Sequence, residues 1–339
     1  MSASDGTHSR CWRVERRADG GVSAGLAPLA WDPGADAGDV VIRVEAAGFN
    51  YKDALAATGH PGVMRSSPLV PGIDAAGVVI RASGPFSTGD DVIVTGNGMG
   101  ETRDGGFATH LRMPAEAVIA RPATLTALAA MACGTAGLTA ILACDRLAAL
   151  VDTRHARPEE EWLVTGASGG VGMLAVTLLA AAGHRVVACS RKPEACDVLM
   201  ACGAAAVATP AAVVDPSDKS LAKGRWAGVV DTVGGPLLAD VLRSVRTGGA
   251  VAAVGMAGGV DLPATVHPFI LRGVTLAGID AATQPTQADR RALWDRLAAA
   301  WPGLAPRLQI TEMPLASVGS WAERMLRGET TGRGVVIPS

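Results

Sequence analysis

The chain has 339 residues, 49% of them hydrophobic, and a formal net charge of −2. This length exceeds what one small core usually serves and predicts two domains. An isoelectric point near 6.3 leaves no basic stripe for a nucleic acid, which is therefore not expected as a partner.

The N-terminal segment from Met1 to Arg10 is short and polar, without the apolar core of a secretory signal. The six cysteines lack the paired spacing of a structural zinc site. We interpret them as buried thiols in a reducing compartment. These features predict a cytoplasmic protein.

Short β-type runs separated by Gly and Pro turns extend from Val40 to about Val118. They lie at residues 40–44, 70–80, 91–95 and 107–112. This rhythm predicts an irregular all-β domain.

Residues 122–144 carry no charge and are long enough to raise the question of a membrane span. The sequence Gly134-Thr135-Ala136-Gly137 interrupts the run in its middle. Two buried helices explain this pattern better than a span, and no membrane partner is expected.

Long helices then alternate with short apolar strands, which predicts a doubly wound parallel sheet. The strands centre near Leu163, Val186, Ala206, Val229, Val251 and Val274. The charged segment 152–161 is expected to be a surface loop before the first of them. A helix over residues 290–300 and a strand at 334–337 follow, and we expect that strand to rejoin the first domain.

The most informative segment is the glycine-rich turn after the first of these strands, Trp162-Leu163-Val164-Thr165-Gly166-Ala167-Ser168-Gly169-Gly170-Val171-Gly172. Its glycines are spaced G-x-x-G-x-x-G. Gly166 serves the tight turn, Gly169 lets the backbone approach a pyrophosphate, and Gly172 lets the helix lie close to the strand. The following helix N-terminus offers N–H groups to an anion. The segment predicts a dinucleotide site.

The next strand ends in Ser190-Arg191-Lys192, where an NAD-preferring site usually carries an acidic residue. A hydroxyl, a guanidinium and an ammonium instead suit the 2′-phosphate of NADPH, which Arg191 can bind in bidentate fashion. The alternative is that Arg191 and Lys192 lie in a solvated turn before a helix near Pro193.

Five motifs occur in order along the chain: NYKDALA from Asn50, PGID from Pro71, TGASGGVG from Thr165, DTVGG from Asp231 and PFILRG from Pro268. Together they resemble the acryloyl-CoA reductase branch of the quinone oxidoreductases, within the medium-chain dehydrogenase/reductase superfamily. The resemblance extends from about Gly38 to Ile337.

The resemblance implies an α/β protein with a GroES-like irregular β domain and a Rossmann doubly wound domain. The expected boundaries are 1–128 for the GroES-like domain, 129–278 for the Rossmann domain and 279–339 for the return to the first domain. It also implies a homodimer, with the strand near 274–278 at a sheet edge. The cofactor residues that it implies are Tyr51, Ser168, Gly169, Gly170, Val171, Ser190, Arg191, Lys192, Met256 and Ile270.

Tyr51 is the single tyrosine of the chain and lies where the family places a residue that contacts NADP. It either donates a proton or positions the nicotinamide; the alternative is a core tyrosine. Asn50 is a candidate donor to a developing enolate oxygen, or else it stabilises the turn. Lys52 and Asp53 are expected to pair with neighbours and begin a helix.

Zinc-dependent relatives carry a Cys and a Gly-His-Glu where this chain has Asn50 and Ile73-Asp74, so no metal site is expected. Three departures from the family concern the substrate and the cofactor pocket. The segment His60-Pro61-Gly62-Val63-Met64-Arg65 replaces a Gly-Lys-rich stretch and leaves Arg65 as the basic residue for a CoA phosphate. Met256 replaces a Leu, and Asp280-Ala281-Ala282 replaces a Ser.

The leading hypothesis is a zinc-free enzyme that uses NADPH to reduce the C=C bond of a small α,β-unsaturated thioester of the acryloyl-CoA type. Without a Lewis acid, hydride transfer needs a substrate that is already electrophilic. The first alternative is the reduction of a quinone, another enone or a carrier-bound enoyl group. The second is an NADPH-binding protein without catalysis, which the presence of Asn50 and Tyr51 disfavours.

Overall fold

The structure is a computed structural model that describes residues 9–29, 38–82, 84–217 and 219–338. The predictions for the N-terminal segment thus lie almost entirely outside the described residues. The strands in chain order are β1 (Arg10–Arg16), β2 (Val22–Pro28), β3 (Asp39–Phe49), β4 (Asp74–Arg81), β5 (Asp91–Thr95), β6 (His110–Pro114), β7 (Ile119–Ala120), β8 (Glu161–Val164), β9 (Arg185–Cys189), β10 (Ala206–Ala208), β11 (Trp226–Asp231), β12 (Val245–Ala253), β13 (Thr275–Gly278), β14 (Ile310–Pro314) and β15 (Arg333–Ile337). The helices are α1 (Tyr51–Ala57), α2 (Ala127–Leu150), α3 (Gly170–Ala181), α4 (Cys196–Ala201), α5 (Pro210–Val213), α6 (Gly235–Arg243), α7 (His267–Arg272), α8 (Gln287–Leu304) and α9 (Val318–Leu326).

The chain divides into two compact units. The first unit contains the described residues up to Thr135, the segment Ala282–Trp301 and the described residues from Ile310 onward. The second contains Ala136–Ala281 and Pro302–Gln309. The sequence placed the two main boundaries at 128/129 and 278/279, a few residues earlier, and did not separate the short segment 302–309.

The first unit is built on a sheet in the order β14-β15-β3-β4-β5-β7, with β6 also paired to β3. β3 and β4 pair antiparallel, as do β4 and β5. The terminal strand β15 pairs antiparallel with β3, which confirms that the chain end returns to this domain. Apolar side chains from these strands pack with Phe107, Leu315 and Trp321 in one core.

Two details of the first unit differ from the sequence-based expectation. β1 and β2 form a hairpin-like antiparallel pair that the sequence analysis did not predict. The predicted strand at 70–80 begins only at Asp74, because Gly72 has a φ of 108° and breaks the extended backbone.

Helix α2 bends at Gly134, whose φ and ψ of 53° and −154° are not helical. This bend corresponds to the predicted break between two buried helices. α2 is long and apolar enough to cross a membrane, but 78% of its most apolar window is buried in the fold, as in the core helix of a soluble protein.

The second unit contains a parallel sheet in the order β10-β9-β8-β11-β12-β13. Numbered within the unit, this is the order 3-2-1-4-5-6 of a Rossmann fold. Leu163, Val187, Val229 and Val251 from four neighbouring strands form its buried core. β8 and β11 are adjacent at the point where the strand order reverses, so ligands are expected at their carboxyl ends.

Candidate active site

The turn between β8 and α3 requires glycine at two positions for internal reasons. Gly166 has a φ of 58°, and a Cβ there would collide with the Thr232 hydroxyl. A Cβ on Gly172 would lie 2.5 Å from the carbonyl oxygen of Gly166. The predicted roles of Gly166 in the tight turn and Gly172 in close packing therefore have a direct geometric basis.

Gly169 is different, because the fold itself leaves room for a side chain there. Its φ of −84° suits any residue, and a Cβ would meet only the Gly166 carbonyl oxygen at 3.4 Å, an ordinary contact. A requirement for glycine at this position would therefore come from a ligand that approaches the backbone.

Buried hydrogen bonds fix this turn to the end of β11. The Thr165 hydroxyl donates to Asp231 Oδ1 at 2.6 Å and accepts the Thr232 N–H at 3.1 Å. Asp231 Oδ2 accepts the N–H of Gly234 at 2.7 Å. Burial raises the pKa of Asp231, while the hydrogen bonds from Thr165 and Gly234 act in the opposite direction. The two strand ends at the switch point are thus joined into one rigid edge.

The first turn of α3 presents backbone donors on this edge. Gly169 is the N-cap, so Gly170, Val171 and Gly172 occupy the first three helical positions. The N–H groups of such positions have no acceptor within the helix and favour an anion. This geometry fits the pyrophosphate of a dinucleotide.

The predicted 2′-phosphate residues follow β9, the neighbouring strand. The Ser190 hydroxyl donates to Ser168 Oγ at 3.1 Å and accepts the Lys192 N–H at 3.1 Å. Both serines are buried, Arg191 is exposed and Lys192 is half-buried. Burial lowers the pKa of Lys192; Glu194 opposes this effect and Arg191 adds to it. The structure therefore brings Ser168 and Ser190 into contact, with the two cations following directly.

Met256 and Ile270 lie beyond the carboxyl end of β12 and in α7, respectively. Their exposed fractions of 66% and 72% are high for apolar side chains. Such exposure is compatible with a surface that a ligand or partner covers.

In the first unit, Asn50 and Tyr51 stand at the start of α1. Asn50 is the N-cap, and its backbone N–H donates to the Asp53 carboxylate at 2.8 Å. Lys52 Nζ lies 2.9 Å from Glu101 Oε1. Asp53 and Lys52 thus begin the helix and pair with neighbours, as predicted. Tyr51, the first helical residue, is 39% exposed.

The expectation that Asn50 donates to a substrate oxygen needs correction. Its amide nitrogen donates to Asp74 Oδ2 at 2.7 Å and to Asp53 Oδ2 at 3.2 Å. Its carbonyl oxygen accepts from Arg333 at 3.1 Å, which fixes the orientation of the amide. Both amide hydrogens are occupied, so the alternative of a turn-stabilising Asn describes its role.

Sequence reasoning did not assign a function to the charged residues around Asn50. Asp53 and Asp74 are fully buried, and Arg333 is only 2% exposed. The available signal was a charged residue next to an apolar run: Asp74 is the first residue of β4 and Arg333 is the first residue of β15. Arg65, the candidate substrate residue, lies exposed after α1.

The donor set around Asn50 does not fit a zinc ion. Asp53 accepts N–H groups of Asn50 and Ile73 on its two oxygens. Asp74 accepts from the Asn50 amide and the Thr135 hydroxyl, and the other partners of the cluster are an amide and a guanidinium. Zinc needs thiolate, imidazole or carboxylate ligands that converge on one point. Within the described ranges, no group of three or more such residues is arranged to hold a metal.

Comparison with known proteins agrees with this architecture. The profile of the zinc-binding dehydrogenases matches residues 170–299. The profile of the alcohol dehydrogenase GroES-like domain matches residues 36–123. Acrylyl-CoA reductase AcuI of Ruegeria pomeroyi is 40% identical over 300 residues, which cover 88% of this chain and 90% of that protein. The chain belongs to the medium-chain dehydrogenase/reductase superfamily.

Two solved structures of this superfamily are also similar over nearly the whole chain. The yhdH oxidoreductase of Salmonella enterica, in complex with NADP, has a TM-score of 0.88 and 38% identity, covering 97% of this chain and 100% of that one. The yhfP protein of Bacillus subtilis, with NAD bound, has a TM-score of 0.87 and 37% identity, covering 97% and 99%. These matches confirm the predicted GroES-like and Rossmann folds and the predicted family, whose members are oxidoreductases.

Proposed function

We propose that the protein is an NADPH-dependent reductase of the C=C bond of a small α,β-unsaturated thioester of the acryloyl-CoA type. One observation supports this proposal above the others. The phosphate turn at the switch point is followed by Ser190-Arg191-Lys192, in a chain 40% identical to an acrylyl-CoA reductase.

The residues that would hold the cofactor are those of the second unit described above. The N–H groups of Gly170, Val171 and Gly172 would donate hydrogen bonds to the pyrophosphate, and Gly169 lets the backbone approach it. Ser190, Arg191 and Lys192 bind the 2′-phosphate, with Ser168 holding Ser190 in place. The cations replace the acidic residue that would accept the ribose hydroxyl of NAD. Met256 and Ile270 cover the nicotinamide.

NADPH, when bound, supplies a hydride to the β-carbon of the substrate. Negative charge then gathers on the thioester oxygen, and a proton reaches the α-carbon to complete the saturated product. Tyr51 either donates that proton or holds the nicotinamide in place by a hydrogen bond. The two roles predict different effects on turnover and on NADPH binding when the Tyr51 hydroxyl is removed.

A second candidate is the reduction of a quinone, another enone or a carrier-bound enoyl group by the same hydride chemistry. It is favoured by the segment His60–Arg65, which contains no lysine for a CoA phosphate and keeps only Arg65. We also propose that the protein acts in the cytoplasm as a homodimer.

The experiment is the oxidation of NADPH by the purified protein, offered acryloyl-CoA, crotonyl-CoA or a simple quinone, with NADH as the control cofactor. Turnover of acryloyl-CoA that greatly exceeds turnover of the quinone supports the main proposal. Turnover of the quinone alone supports the second candidate. Tight NADPH binding without turnover of any of the three contradicts the main proposal and favours either an untested enone or carrier-bound enoyl substrate or a protein that binds NADPH without catalysis.

A further inference from the structure

Three ionisable side chains are buried near helix α1, and their charges do not cancel if each has its ordinary ionisation state. Asp53, Asp74 and Arg333 have exposed fractions of 0%, 0% and 2%. Two carboxylates and one guanidinium leave one uncompensated negative charge in the interior, which is costly. A single bound proton would make the cluster neutral.

Arg333 does not neutralise a carboxylate by direct contact. Its described acceptors are the carbonyl oxygens of Phe49, Met131 and Ala132 and the Oδ1 of Asn50, at 2.9–3.1 Å. Met131 and Ala132 precede the bend of α2 at Gly134, where helical carbonyls lose their usual partners. The Asn50 amide is therefore the link between the guanidinium and both carboxylates.

The groups that face Asp74 come from three other elements. They are Asn50 and Asp53 at the start of α1, Arg333 of β15 and Thr135 of α2, while Cys133 lies near Arg333. Burial raises the pKa of Cys133 to about 12, so this thiol stays neutral. Burial raises the pKa of both carboxyls, and negative charge on Asp74 raises that of Asp53 further, so the two do not ionise independently. Carboxyls this close titrate as a pair.

Hydrogen bonding decides which carboxyl can hold the proton. Asp53 meets only N–H donors, from Ile73 on one oxygen and Asn50 on the other. Asp74 Oδ1 instead lies 2.5 Å from the Thr135 hydroxyl, a distance typical of a strong O–H to carboxylate bond. Because a hydroxyl both donates and accepts, this contact persists whichever oxygen carries the proton.

We propose that Arg333, Asp53 and Asp74 are positioning residues for the Asn50–Tyr51 turn, and that they do so as a neutral cluster with one proton shared between Asp74 and Thr135. The Asn50 amide needs all three partners to keep its orientation. The N-cap of α1, and with it Tyr51, is fixed only while the cluster holds its proton. This inference rests on the proposed function only in assigning Tyr51 a part in the reaction.

The single tyrosine of the chain allows a direct test. Protein labelled with ¹³C only at the tyrosine Cζ gives one NMR resonance, which reports on Tyr51 alone. In the wild type this resonance should shift when the shared proton leaves, at a pH above the ordinary range of a carboxyl because burial raises both pKa values. In Asp74→Asn, which imitates the protonated side chain, the shift should be absent although all histidines remain. An identical shift in both proteins overturns the proposal.

Stability provides a second readout that needs no substrate. Burial raises the pKa of both carboxyls above the ordinary value of 3.8, so the pair keeps a proton in the folded state that the unfolded chain has lost. The unfolding equilibrium constant should therefore rise with pH above that ordinary value, by at most about tenfold per pH unit, until the folded protein has also lost the proton. Asp74→Asn should lose this added dependence relative to the wild type. An unchanged slope contradicts the shared proton.

The matched variant is Asp53→Asn. Both Asp53 oxygens accept from N–H groups. In Asp53→Asn the side-chain NH₂ group must therefore face one of these donors, and neither can accept its hydrogen. In Asp74→Asn the side-chain NH₂ group can take the position of Oδ1, because the Thr135 hydroxyl can accept a hydrogen bond there instead of donating one. We expect Asp74→Asn to fold like the wild type at neutral pH and Asp53→Asn to be clearly less stable. Equal losses in the two variants contradict the placement of the proton.

Arg333→Lys tests separately whether the cluster positions Tyr51 and whether Tyr51 takes part in the reaction. Lysine keeps the charge but not the fork that reaches four acceptors. If the cluster positions Tyr51, kcat should fall about 100-fold, while the Kd for NADPH should change by no more than about tenfold, as for loss of the Tyr51 hydroxyl itself. An unchanged kcat, in a protein that shows the predicted NMR shift, removes Tyr51 from the reaction but keeps the cluster. An unchanged NMR resonance in this variant contradicts positioning itself.

Discussion

Asn50 and Tyr51 are neighbours in sequence, yet their side chains are in opposite situations. The Asn50 amide has three buried partners, whereas the Tyr51 side chain keeps substantial exposure at the start of α1. A group that contacts a substrate must be accessible, and a group that holds a turn must be saturated. At the scale of single residues, the structure therefore leaves Tyr51 as the candidate for chemistry.

Tyr51→Phe removes one hydroxyl and keeps the ring. If the hydroxyl delivers the proton, turnover should fall about 10²- to 10⁴-fold. The Kd for NADPH should change by no more than about tenfold, the value of one hydrogen bond. Steady-state rates and fluorescence titration with NADPH measure the two quantities. Comparable, modest losses in both would assign the hydroxyl to cofactor positioning.

Arg191→Ala tests the 2′-phosphate pocket. Loss of a charged hydrogen bond to the phosphate should raise the KM for NADPH about 10- to 100-fold and leave that for NADH unchanged. Arg185→Ala is the control, because Arg185 is a similarly exposed arginine at the other end of β9 and its ion-pair partner is Glu161. If both variants behave alike, the phosphate pocket is elsewhere.

At the scale of elements, the strand-turn-helix unit of β8 and α3 combines two kinds of glycine. Gly166 and Gly172 are required by the chain itself, through a positive φ and close backbone contacts. Gly169 is free of both constraints in the protein alone. Stability and cofactor binding should therefore respond separately to substitutions in this one turn.

Gly166→Ala should destabilise the protein by about 1–3 kcal/mol, because alanine is strained at positive φ and its Cβ meets the Thr232 hydroxyl. Gly169→Ala should leave the free energy of unfolding nearly unchanged and weaken NADPH binding instead. Urea denaturation and NADPH titration of both variants measure the contrast. Normal NADPH binding by Gly169→Ala would show that no pyrophosphate approaches this backbone.

At the scale of the whole molecule, β13 has a neighbour on one side only among the described strands, since it ends the order of the six-stranded sheet. An uncovered edge strand exposes backbone donors and acceptors. Directly before it, α7 carries Ile270 and Leu271, which are 72% and 62% exposed. These features support the proposed homodimer.

Leu271→Glu should convert a particle of twice 34.3 kDa into a monomer, with the circular dichroism spectrum unchanged. Burying a charge in an apolar contact is strongly unfavourable. Met200→Glu is the control, because Met200 is another exposed apolar side chain, in α4 near the opposite edge of the sheet. Light scattering after gel filtration measures the mass. A wild-type monomer at all concentrations refutes the dimer.

Much of the fold could be predicted from local pattern. The apolar runs near Leu163, Val186 and Val229 predicted a parallel sheet whose strands alternate with helices. Parallel strands are buried on both faces and therefore appear in the sequence as continuous apolar segments. β1 and β2 escaped prediction because β2 has no fully buried side chain and β1 buries only Cys11 and Val14, so neither segment contains a continuous apolar run. Strand starts, such as that of β4, depended on individual backbone angles.

The sequence by itself determined the nucleotide turn, since glycine spacing and the basic residues after β9 are local features that no distant contact needs to supply. It also determined the two-domain order and the family. Only the tertiary structure decided that the Asn50 amide stabilises the turn rather than binding a substrate, because its partners Asp74 and Arg333 are 24 and 283 residues away from it. Whether a buried polar or charged group is fully hydrogen-bonded depends on which distant side chains contact it, and a local sequence pattern does not contain that information.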